Sequence, residues 1–150
     1  MRSLHTFVHN FHRPDAAILL VRIAVGVVFI VHGWQKLALL DDMVTFFGLI
    51  GLAPFWVYVV SFIEIVAGLA VLLGIFTRYG AALLAAVALV ALLKVHYANG
   101  FFIGNGGYEF VLVLFLASVA LFLSGSGGYS AMHRVRLKCG DMLCGTCEVK

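Results

Sequence analysis

The residues able to do chemistry in this chain are ionisable groups set among hydrocarbon side chains. Glu64 lies near the middle of S-F-I-E-I-V-A-G, where an acidic side chain costs about 2.5–3.5 kcal/mol if it faces lipid. It is expected to face protein. Ser61, Glu64 and Gly68 follow helical spacing, so the carboxylate shares its face with small residues that let a neighbouring backbone approach. Arg22 stands in a second apolar run and heads a stripe of its own, Arg22, Gly26, Phe29, Gly33 and Lys36. At about 1.5 Å of rise per residue, Arg22 and Glu64 differ in depth by something on the order of 8 Å, which an arginine side chain could largely close. An Arg22–Glu64 pair is the expectation. His32, Lys36, Lys94, His96, Asn99 and Glu109 all map to one outer half or its rim, so acids, bases and imidazoles from four segments should converge on one pocket. Such a set suits proton transfer. The alternative is that the lysines only snorkel to headgroups, Glu109 only favours its helix dipole and Arg22–Glu64 only locks the fold.

A second cluster is chemically distinct. Cys139, Cys144 and Cys147 form C-x4-C-x2-C in K-C-G-D-M-L-C-G-T-C-E-V-K, the first three ligand positions of a plant-type iron-sulfur ferredoxin. A fourth thiolate is missing, and zinc would have the same shortage unless a histidine such as His133 completed the set. A redox-active C-G-T-C pair, an inert tail and a metal site completed by a partner are the other readings.

The elements that must position these groups follow from composition. Of 150 residues, 63% are hydrophobic and 11% charged, more apolar surface than a water-soluble domain of this size can bury, so the solvent is lipid. The +3 formal charge is modest and its basic residues form no stripe, which excludes nucleic acid as the expected partner. Four apolar runs approach the ~20 residues needed to cross a bilayer: Ala16–Trp34, Phe55–Phe76, Tyr79–Val95 and Tyr108–Leu123. They lack barrel-like alternation, so each is expected to be helical. The predicted fold is an all-α membrane protein, a four-transmembrane-helix bundle over 16–125. An amphipathic interfacial segment over 1–15 precedes it and a basic, cysteine-containing cytoplasmic tail over 126–150 follows. Arg2, Arg13, Arg78, Arg134, Arg136, Lys138 and Lys150 fall on one side against Lys36 and Lys94 on the other, which predicts both termini in the cytoplasm. Leu37–Pro54 and Lys94–Gly107 are then external loops and Thr77–Arg78 a tight internal turn. His5, His9 and His12 share one face of the first segment, either a solvated face or a metal stripe.

The runs L-L-V-R-I-A-V-G-V-V-F-I-V-H-G-W-Q-K, F-I-E-I-V-A-G-L-A-V-L-L-G-I-F-T-R and N-G-G-Y-E make the chain, from about Ala16 to Gly125, resemble the DoxX family of small bacterial membrane proteins. The resemblance implies a four-helix protein of the cytoplasmic (inner) membrane, linked to quinone-dependent oxidoreductase complexes. Arg22, Gly33, Lys36, Glu64 and Glu109 are the positions it carries over. On that footing Glu64 and His96 are the expected proton-transferring, catalytic residues, and Arg22, His32, Lys36 and Glu109 are expected to hold a quinone. No haem-ligand pair, dinucleotide fingerprint or flavin site is legible in the bundle, so a redox protein partner is expected to supply the electron carrier. The competing reading is a non-catalytic scaffold or small-solute carrier that recruits redox partners.

Overall fold

The structure is a computed structural model, and it describes residues 13–131. The cysteine cluster and the N-terminal histidines lie outside the described residues. Wholly within the described residues, five α-helices follow in order: α1 (Pro14–Ala38), α2 (Leu40–Leu49), α3 (Phe55–Leu73), α4 (Thr77–Ala91) and α5 (Glu109–Ser124). No strand occurs among the described residues. The protein is an all-α membrane protein: α1, α3 and the continuous helical stretch Thr77–Asn99 are long and apolar enough to cross a bilayer, while α5 is apolar but shorter, at 16 residues. Large exposed hydrophobics such as Leu20, Phe62, Leu69, Leu83, Val113 and Leu123 stand around the outside, where lipid would meet them.

Local sequence accounts for the helix limits. Pro14 opens α1 at a position where its missing N–H costs nothing. Gly74 closes α3 in the left-handed conformation at φ 77°, and Ile75 N–H reaches back to the Ala70 carbonyl at 2.9 Å. Glycine is required at 74 for space as well, because a Cβ there would collide with the Arg22 guanidinium.

The antiparallel pair α1 and α3 forms the spine of the molecule, and its glycines set how close the two helices come. A Cβ on Gly26 would lie 2.9 Å from the Gly68 carbonyl oxygen, and one on Gly33 would lie 2.9 Å from that of Ser61. Without a hydrophobic drive between helices in lipid, such close backbone contact is what holds the pair together. Helix α4 brings Ala81, Leu84 and Ala88 inward to meet Val25, Phe29, Ala67, Val71 and, from α5, Leu121. This apolar core occupies the half of the molecule toward Pro14 and Gly74.

Two features depart from the sequence expectation. The Leu37–Pro54 connection contains the helix α2, whose Phe47 is buried. The end of the third span widens into a π-helix over Leu92–His96, followed by a 3-10 turn over Tyr97–Asn99. π-Helical turns alter which side chains share a face and recur at functional sites.

Candidate functional site

Above the apolar core, toward Ala38 and Glu109, the helices separate around a cavity of about 740 Å³. That is within the range of small-molecule and cofactor sites. Its wall is largely apolar, with Phe29, Phe47, Trp56, Val87 and Phe110 among the contributors from α1 to α5, and its polar groups are His32, Lys36, Glu64, Lys94 and His96.

The centre of the site is an ion pair. Lys36 Nζ donates to Glu64 Oε2 at 2.5 Å, the carboxylate side chain 5% and the lysine 20% exposed. Gly33 makes the pair possible, because a side chain there would press on the Glu64 Cβ and push α1 away from α3. Glu64 is thereby held at the cavity wall with its charge compensated, the condition under which a carboxylate tolerates a membrane interior. His32 approaches the ring of Phe110 with centroids 6.3 Å apart, so α1 and α5 face each other at this level.

The π-helical turn presents Lys94, Val95 and His96 consecutively to the cavity. The Nδ1 of His96 lies 2.7 Å from the Gly106 carbonyl oxygen, which can only accept, so Nδ1 carries the proton of that bond. Asn99 Nδ2 donates to the same carbonyl at 3.3 Å. Glu109 accepts the Ile103 N–H at 2.7 Å. The Gly-rich turn is thus pinned across the top of the site by its own polar side chains, with Tyr108 and Glu109 N–H bonded to the carbonyls of Gly100 and Phe101. Gly107 packs against that backbone with no room for a Cβ.

Of the residues singled out in the sequence, His32, Lys36, Glu64, Lys94 and His96 come together, whereas Arg22, Asn99 and Glu109 do not line the cavity. The expected Arg22–Glu64 pair is absent, since Lys36 takes the carboxylate and Arg22 lies toward the opposite membrane face. There Arg22 is 1% exposed. Its Nε donates to Val71 O (2.9 Å) and Nη2 to Leu72 O (2.9 Å), while Nη1 donates to Ser126 O (2.9 Å) and Tyr129 O (3.0 Å). The reason is register. Arg22 is level with the last turn of α3, where helical carbonyls lack internal donors and the helix dipole favours a cation. That turn is seven residues from Glu64, roughly 10 Å along the axis. The aromatic contribution from α2 was also missed, because Phe46 and Phe47 sit in what reads as a polar-started loop.

The profile of the DoxX family matches residues 17–97, which is α1 through the π-helical turn. The chain belongs to the DoxX family. The matched part of this DoxX protein holds all five polar residues of the cavity and Arg22, and stops before the Gly-rich turn and α5. The whole chain is 37% identical over 112 residues to the Bacillus subtilis (strain 168) protein named "Putative oxidoreductase CatD", a similarity covering 75% of this chain and 81% of that protein. No solved structure matches the chain.

Proposed function

We propose that this DoxX protein is an integral membrane subunit of a quinone-linked oxidoreductase system, in which the cavity receives a quinone head ring and Glu64 relays protons. The observation that carries this reading is the Lys36–Glu64 pair on the wall of a largely apolar cavity at membrane depth. The residues fit such a group. Aromatic and aliphatic walls suit a ring and its hydrocarbon tail, Lys36 and Lys94 are donors for ring oxygens, and His96, with its proton committed at Nδ1, offers Nε2 as an acceptor when neutral. A bound quinone would supply the two-electron, two-proton chemistry. The chain's residues would bind it, exclude water and exchange its protons through Glu64 and His96. A relative named "Putative oxidoreductase CatD" agrees with this reading.

In this proposal the apolar α5 also crosses the bilayer, and Arg78 lies on the cytoplasmic side of the bacterial inner membrane with both termini. A redox protein partner carries the electrons onward. The test is ligand-linked stability of purified protein in lipid with ubiquinone and menaquinone analogues. Saturating analogue should raise the unfolding temperature, and Glu64→Gln should weaken that rise. An unfolding temperature unmoved by either analogue contradicts the reading, and affinity isolation from native membranes that returns this chain alone contradicts the partner.

A further inference from the structure

The cavity lies toward one membrane face, beneath the Gly-rich turn whose Ile103, Gly106 and Gly107 line it, and is floored toward the other face. Its deepest wall residues include Phe29, Ala88 and Leu114. Beneath them lie Val25, Ala67, Val71, Leu84 and Leu121, each at most 4% exposed. The buried hydroxyl at this depth, Ser118, is already spent on the Leu114 carbonyl at 2.8 Å. Farther still, Thr77 and Arg22 lie at the level of the α3–α4 turn, and the Arg22 guanidinium is committed to four carbonyls. Between Glu64 and that layer the described residues offer no chain of side-chain donors and acceptors along which a proton could pass.

Above Glu64 the situation is reversed. The titratable and charged groups facing it are His32 and Lys36 from α1 and Lys94 and His96 from the π-helical end of the third span. The walls from α2 and α5 are apolar there. Asp41 and Asp42 at the start of α2 do not line the cavity, and Glu109 is turned to the Ile103 N–H.

From this asymmetry we infer that the Lys36–Glu64 pair exchanges protons with only one side of the membrane, the face carrying Ala38, Asn99 and Glu109, and is sealed from the face carrying Pro14 and Gly74. Protons taken up or released at the site then enter or leave on one side, which makes any turnover there directional. The inference rests on the reading of Glu64 as a proton-exchanging group and is independent of which ring occupies the cavity.

The experiment uses full-length protein in vesicles selected for a single orientation, with pH stepped on one side at a time in impermeant buffer. Its readout is the carboxylic C=O infrared band missing from the Lys36→Gln/Glu64→Gln double variant, which removes both charges and leaves neither unpaired. A step on the cavity face should change the band within the mixing time. A step on the opposite face should leave it unchanged until a lumenal pH dye reports leakage. A band that answers both faces equally, answers the sealed face first, or answers neither overturns the inference. Quinone-analogue stabilisation, measured in the same vesicles, separates the two claims: a one-sided response without stabilisation removes the quinone and keeps the directionality.

Discussion

At the residue scale the fold depends on Lys36 and Glu64 meeting across α1 and α3. Removing one partner strands the other charge at membrane depth, so Glu64→Gln or Lys36→Met should each cost about 3 kcal/mol. The low end of the usual range applies because the lysine keeps 20% of its side-chain surface. The joint replacement Lys36→Met/Glu64→Gln should cost much less than the two singles together, since no charge is left behind. Unfolding titrations of the four proteins in lipid-like micelles check this, and additive losses would show that the pair is not coupled. Both residues were singled out in the sequence, but their pairing was not: a helical stripe places Arg22 and Lys36 on one face equally well, and only the antiparallel register decides which end meets the carboxylate. That register also explains Arg22, whose role as a clasp on the end of α3 has no sequence signature beyond an arginine set in an apolar run.

At the scale of elements, glycine positions separate into those that set helix contact and those that do not. Gly26→Leu should lose about 1–3 kcal/mol or more by forcing α1 off α3, given the 2.9 Å approach of its Cβ position to the Gly68 carbonyl. Gly48, in α2, has nothing within 4 Å of its Cβ position, and Gly48→Ala should instead be neutral or gain up to about 1 kcal/mol from helix propensity. Comparing the two by thermal unfolding tests whether close backbone contact, and not glycine content, holds the bundle. Gly74→Ala should be destabilising by another route, because φ 77° and the adjacent Arg22 guanidinium both oppose a side chain. The four apolar runs were legible to within a few residues, since lipid imposes length and helicity on them. Helix α2 was hidden because a loop opening with two aspartates reads as hydrated. The π-helical turn was hidden because its widening arises where the helix end packs against the Gly-rich turn.

For the whole molecule, an apolar core fills one half and a largely apolar cavity bearing five polar side chains the other, and membership of the DoxX family agrees with an embedded protein. A ligand that binds this folded form alone stabilises it by mass action, by about 2.7 kcal/mol at a hundredfold excess over Kd. A quinone analogue at that excess should therefore produce a clear rise in unfolding temperature, scaled down in Glu64→Gln by its weaker binding. The most direct test of the site itself is photolabelling of the protein in lipid with an azido-quinone, followed by mass-spectrometric mapping of the adducts. Labels confined to the segments carrying Trp56 to Glu64 and Lys94 to His96, and displaced by excess unmodified quinone, are the predicted result. Labels spread along the lipid-facing surface and indifferent to competitor would contradict the account.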